Sequence, residues 1–204
     1  MKNRKFISLL TVLTMLSFSF SSGPVVVGLQ NVNFNSDGTS GSVDVYMTNS
    51  QGCGHCSDTS MGNPTACASG GGTWMYMTDW DESACGTANG IWFDGKVGGF
   101  QFNFIGGTVI DVSGGEAATA GFTVSTSTST IIGFSLTGAS LAAGDGLTLL
   151  TIEFTPGDGA TEFCLDGVVF SDTGGVALTI DVGPCAQALQ FDCNGELGGT
   201  AVED

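Results

Sequence analysis

The chain reads as an all-β protein, an antiparallel β-sandwich that carries a small disulfide-rich insert. Three observations predict it. Apolar and polar residues alternate at period two in one segment after another, the pattern of strands with one buried and one wet face. Glycine supplies 33 of 204 residues, far above the usual ~7%, and it gathers with Asp, Asn and Ser between those segments, where turns need it. No stretch long enough for a full helix carries a helical repeat, and Lys, Glu and Arg are too scarce to favour one. A hydrophobic fraction of 42% with 14 Phe is enough for a real core.

The elements follow in order. Met1 to Lys5 is basic, Phe6 to Phe20 is apolar, and Ser19-Phe20-Ser21 places small residues where a signal peptidase reads them. Residues 1–21 are therefore expected to be an export signal, with Ser22 near the mature start. The apolar run is about 15 residues, short of the ~20 that span hydrocarbon. Export leads to an oxidising compartment in which disulfides form. Residues 22–49 together with 97–185 are assigned to the sandwich, which makes the protein secreted or displayed at the cell surface. Val43, Val45 and Met47 share one face of 42–49, and Phe100, Phe102 and Phe104 share one face of the next strand. Ile132, Phe134 and Leu136 follow the same rule, then Leu150, Ile152 and Phe154, then Val176, Leu178, Ile180 and Val182. Turn chemistry separates them at Ser36-Asp-Gly38, Gly106-Gly107, Gly114-Gly115, Gly144-Asp-Gly146, Pro156-Gly-Asp-Gly159 and Asp172-Thr-Gly-Gly175. A short helical turn fits Gly115–Ala120, and the Thr/Ser run 123–130 is read as an exposed strand. No acceptor sequon for N-glycosylation exists.

Charge sets the partners. Acids number 20 against 4 Lys plus Arg, a net charge of −16. Once Lys2, Arg4 and Lys5 leave with the signal, Lys96 is the only Lys or Arg left. Nucleic-acid binding, which needs clustered cations, is excluded, and so is electrostatic docking on anionic membranes.

Residues 50–96 stand apart as an insert. They hold Cys53, Cys56, Cys67 and Cys85, all three tryptophans, Tyr76 and the only histidine, His55. Cys67-Ala-Ser-Gly-Gly-Gly-Thr-Trp74 is echoed 18 residues later by Cys85-Gly-Thr-Ala-Asn-Gly-Ile-Trp92, which suits a pseudo-symmetric knot with a Cys67–Cys85 bridge. A Cys53–Cys56 bridge, or either of these paired with Cys67 or Cys85, is equally open, because four cysteines allow three pairings. Cys53-Gly-His-Cys56 has the form of a redox motif, but no helix pattern follows to lower a thiol pKa. A zinc site lacks its second Cys-x-x-Cys. Structural disulfides are the expectation.

Ser42-Val-Asp-Val-Tyr-Met-Thr-Asn49 and Gly98-Gly-Phe-Gln-Phe-Asn-Phe104 resemble the opening strands of cohesin-like modules, and Ile131–Leu136 and Gly144–Phe154 are similar to later strands of that fold. The resemblance covers about residues 25–49 and 97–183. It implies a jelly-roll β-sandwich close to certain carbohydrate-binding modules, and an extracellular protein whose relatives include binders of dockerin modules. The short Ile105-Gly-Gly-Thr108 link and the insert depart from the family pattern, so no contact residue is carried over.

At the C-terminus, Cys164 lies in a strand-like run and Cys185 follows the last strand, so a Cys164–Cys185 staple is expected. Residues 186–204 form an acidic Cys/Gly tail that looks like the start of a repeat, with more of a multidomain chain expected beyond it. Cys193 is left over, either because the sequence is cut short or because it pairs with another chain. Asp192, Asn194, Glu196 and Glu203 fall at positions 1, 3, 5 and 12 of a calcium loop, although Leu197 stands where that loop needs glycine. Calcium is the one cofactor these residues suggest. Asp79, Asp81, Glu82, Asp158 and Asp166 are further oxygen-rich positions.

No nucleophile elbow, phosphate loop or zinc-protease motif is present, and the chain is read as non-catalytic. Two functions fit. The first is a secreted or cell-surface adhesion or scaffold module that binds a protein through a sheet face or the insert. The alternative is a carbohydrate-binding module that stacks Trp74, Tyr76, Trp80 and Trp92 on polysaccharide. Trp74 and Trp92 suit a core pair for the insert, and Trp80 suits an exposed ring.

Overall fold

In a computed structural model of the protein, residues 23–188 are described. The expected export segment 1–21, Cys193 and the set Asp192, Asn194, Glu196 and Glu203 lie outside them. Along the chain run β1 (Val25–Phe34), β2 (Gly41–Asn49), β3 (Gly52–Cys56), α1 (Pro64–Ser69), β4 (Trp74–Met77), α2 (Glu82–Thr87), β5 (Ile91–Phe93) and β6 (Gly99–Ile105). Then come β7 (Gly107–Ser113), α3 (Gly115–Thr119), β8 (Thr123–Thr126), β9 (Thr130–Phe134), β10 (Leu147–Pro156), β11 (Glu162–Ser171), β12 (Ile180–Val182) and β13 (Ala186–Gln187).

Two five-stranded sheets form the sandwich, in the orders β12-β1-β2-β10-β7 and β13-β11-β6-β9-β8. The pairing is antiparallel with one exception: β12 lies parallel to β1, Val25 opposite Ile180. After β11 in the second sheet the chain crosses to the first as β12, then returns to pair β13 with β11. Cys164 of β11 is joined to Cys185, just before β13. A closed loop of this length restricts the unfolded chain by roughly 3 kcal/mol.

Alternation puts Val43, Val45 and Met47 of β2, and Ile152 and Phe154 of β10, fully inside. Phe102 and Phe104 of β6 and Phe163 and Phe170 of β11 face them from the other sheet. At one end, Phe154 meets Phe163 at 4.6 Å, Phe104 at 5.2 Å and Phe34 at 5.9 Å between ring centroids. At the other, Phe100 stacks on Phe102, Phe122 and Phe170. Fully burying each ring contributes on the order of 2–3 kcal/mol, and the ring pairs add about 0.5–1.5 kcal/mol each.

Two expectations are corrected. In β9 the inward residues are Ile131 and Gly133, so Ile132 and Phe134 point outward, each 38% exposed, and Leu136 beyond the strand is 82% exposed. The reason is Phe100: a Cβ on Gly133 would sit 2.1 Å from its ring. The ring takes the space that a side chain at 133 would need. The expected strand over 176–182 also shrinks to Ile180–Val182, because the Asp172 turn runs on through Val176, which is 64% exposed. The helical turn near 115–120 is present as α3. The Thr/Ser run splits into β8 and the turn before β9.

Gly133→Ala is expected to lower stability by roughly 1–3 kcal/mol through overpacking against Phe100, read as a lower urea midpoint at unchanged slope. An unchanged midpoint would show that Phe100 does not hold that space.

Candidate functional site

The insert is organised by β3, which runs between β4 and β5 in a three-stranded antiparallel sheet. Cys53 and Cys56 are three residues apart, an odd number, so in a strand their sulfurs leave opposite faces. Cys56 is joined to Cys67 in α1 and Cys53 to Cys85 in α2. The sequence echo is thus a repeated helix–turn–strand, α1–β4 and α2–β5, one copy stapled to each face. This corrects the Cys67–Cys85 and Cys53–Cys56 pairings, because β3 stands between the two helices. It also leaves no free thiolate on Cys53 or Cys56 for redox or zinc chemistry.

Both helices begin with side-chain caps that the alternation pattern did not reveal. Asn63 Oδ1 accepts from Ala66 N at 2.8 Å, with Pro64 at the first helical position. Asp81 Oδ1 accepts from Ala84 N at 2.7 Å, with Glu82 in the first turn. Asn63-Pro64 and Asp81-Glu82 were the signals that could have found them. Asp81 is therefore a cap.

The structure does not bring the four candidate aromatics into one platform. Trp74 and Tyr76 lie on the Gly52/Gly54 face of β3. A Cβ on Gly54 would stand 2.9 Å from the Trp74 indole, and one on Gly52 2.9 Å from the Tyr76 ring. The two glycines make room for the two rings. Tyr76 Oη donates to Ser50 O at 2.8 Å, and burial pushes its phenol well above its usual range. Trp92 is in register with Cys53, on the other side. Trp80 stacks on the buried His55, centroids 4.5 Å apart and 17° from parallel, so it serves as the histidine's cover. All four aromatics are half-buried. The sulfurs and glycines of β3, with Phe93 in the sandwich core and Tyr76 packed against it, take the place of the expected Trp74–Trp92 core pair.

Two surfaces stand out. The first is a cleft of about 300 Å³ where the insert meets the sandwich, walled by Trp74, Tyr76 and Ile91 on one side and by Asp172, Val176 and Leu178 on the other. The second is the outer face of the β13-β11-β6-β9-β8 sheet. There Val169, Gln101 and Ile132 form one cross-strand row, and Ser171, Gly99 and Phe134 the next. Ile105 lies on the same face, and Val169 and Ile105 are each 47% exposed. Glu162 also approaches Cys164 and Cys185, but their sulfurs are bonded to each other. Asn49 anchors the junction of insert and sandwich: its Nδ2 donates to Gly95 O at 2.6 Å and to Ala142 O at 2.8 Å.

No protein-family model and no curated protein matches the chain. Among solved structures the chain is similar to the third cohesin of ScaC from Acetivibrio cellulolyticus, solved with the ScaB dockerin (12% identity, TM-score 0.45, 80% of this chain and 96% of that one). It is also similar to a non-cellulosomal cohesin from the hyperthermophilic archaeon Archaeoglobus fulgidus (10%, 0.42, 80% and 89%). A third is the seventh ScaB type I cohesin of Pseudobacteroides cellulosolvens (10%, 0.44, 80% and 89%).

Two outcomes are expected. Non-reducing peptide mapping gives Cys53–Cys85 and Cys56–Cys67 fragments, and a Cys67–Cys85 fragment would refute the arrangement. Tyr76 keeps its proton in the folded protein above its ordinary value of 10.0, whereas the unfolded chain loses it there. Its contribution is therefore whole below pH 10 and falls as the pH climbs further. In a Tyr46→Phe background, absorbance near 295 nm should rise only together with loss of folded signal. Phenol ionisation in a still-folded protein would contradict this.

Proposed function

We propose that the protein is a non-catalytic, extracellular protein-binding module that docks its partner on the outer face of the β13-β11-β6-β9-β8 sheet. The observation that carries this reading is the exposed apolar set Ile132, Phe134 and Val169 in adjacent rows, with Leu136 at its margin. Folding leaves these side chains in water, Ile132 and Phe134 side by side on β9 and Val169 across Gln101 in the same row as Ile132, and apolar side chains grouped on one sheet face suit an association site. Gly99, between Phe134 and Ser171 in the next row, puts no side chain of its own beside the Phe134 position, which leaves that row open to a partner's anchor residue. Three disulfides and the expected export signal support an oxidising, extracellular setting. The carbohydrate-binding reading draws on Trp74 and Tyr76, but the split of the four aromatics between two faces favours the protein partner.

The test is a binding screen of the oxidised protein against a panel of dockerin modules and a panel of soluble polysaccharides, alongside Ile132→Ser/Phe134→Ser and Trp80→Ala. The expected result is saturable binding to a protein module, weakened roughly 100-fold in the double variant and unchanged in Trp80→Ala. Saturable polysaccharide binding that is indifferent to the sheet face would overturn the reading, whether or not Trp80→Ala abolishes it.

A further inference from the structure

We propose that the cleft between insert and sandwich is a cation-recognition pocket that takes the guanidinium of an arginine presented by the protein partner. That the arginine arrives on a protein rests on the docking reading above; the chemistry of the pocket does not.

Three observations converge on it. The walls suit the side chain along its length. Ile91, Val176 and Leu178 offer apolar surface to the aliphatic stem, and the Trp74 and Tyr76 rings attract a planar cation through their electron-rich faces. Next, Asp172 is a fixed carboxylate at the cleft. Its Oδ1 accepts from Gly174 N at 2.8 Å and Val176 N at 2.9 Å. Its other oxygen takes no hydrogen bond from the described residues, and a guanidinium N–H can use it. Third, nothing in the described chain competes for that carboxylate. Lys96 is their only Lys or Arg, and its Nζ lies 3.0 Å from Asp94 Oδ2. The net charge of −16 concentrates cations at the surface. A second copy of these residues has no arginine to offer. A neutral sugar would use the aromatic walls but gain nothing from the field. Arginine is favoured over lysine because its flat, weakly hydrated head stacks on rings while still donating to oxygen.

The experiment follows the three indole N–H signals of the ¹⁵N-labelled oxidised protein during titration with the peptide acetyl-Gly-Gly-Arg-Gly-Gly-amide. The neutral isostere with citrulline in place of arginine is run beside it. A saturable shift of the Trp74 signal is expected, with the citrulline peptide binding roughly tenfold more weakly. Asp172→Asn keeps the turn's acceptor oxygen but loses the charge, and should weaken the arginine peptide by a similar factor while leaving the other indole signals in place. Equal response to both peptides, or unchanged affinity in Asp172→Asn, overturns the proposal. So does a Trp74 shift produced by cellopentaose and not by the arginine peptide. Because no partner protein enters the titration, it can fail while the sheet-face reading stands, and Ile132→Ser/Phe134→Ser should leave it unaffected.

Discussion

The two sheets are held together by interlocked phenylalanine rings, and most of the molecule's surface chemistry follows from that packing. Phe34 and Phe154 from one sheet close on Phe104 and Phe163 from the other. Phe100, Phe102, Phe122 and Phe170 fill the opposite end. Rings this large leave no room for full alternation everywhere. At Gly133 the Phe100 ring takes the place of a side chain, and the neighbouring strand is turned so that its larger residues face water. The exposed apolar face is thus a consequence of how the core is filled. Close packing of the interior makes such a trade unavoidable, because an added methyl group has nowhere to go.

The insert solves a different problem. A segment of this size with few aliphatic residues cannot build a conventional core. Its centre is a strand of two glycines, two cysteines and His55, all five residues buried. Covalent bonds fix a helix on each face, and aromatic rings lie directly on the glycines. Phe93 joins the sandwich core and Tyr76 packs against it, so the insert is packed onto the domain, and the cleft with Asp172 lies along that seam.

The strands legible in the sequence were those with large apolar residues on one face only: β2 with Val43, Val45 and Met47, β6 with its three phenylalanines, and β10. Where two apolar residues were adjacent, as at Ile131-Ile132, alternation alone could not say which faced inward, and glycine as a buried residue carries no hydrophobic signal. The insert's helices are only six residues each, too short for periodicity to register, although their caps were visible. The disulfide pairing followed from which face each sulfur leaves, and that depends on 52–56 being a strand. The positions of Trp74 and Trp80 depend on ring contacts with Gly54 and His55, which no local pattern encodes. Asp172 could be read as a turn residue, but not as a wall of the cleft, because its neighbours there come from 74–91.

The parallel pairing of β12 with β1 has a consequence for synthesis. A chain that emerges N-terminus first can zip β1 to β2 early, but the other margin of β1 stays open until residues 180–182, near the end of the described chain, arrive. The same late stretch then lays β13 against β11. The sandwich therefore cannot be completed until residues 180–187 have been made. The Cys164–Cys185 bond can form only in that last stage, and it then fastens the final strand to β11.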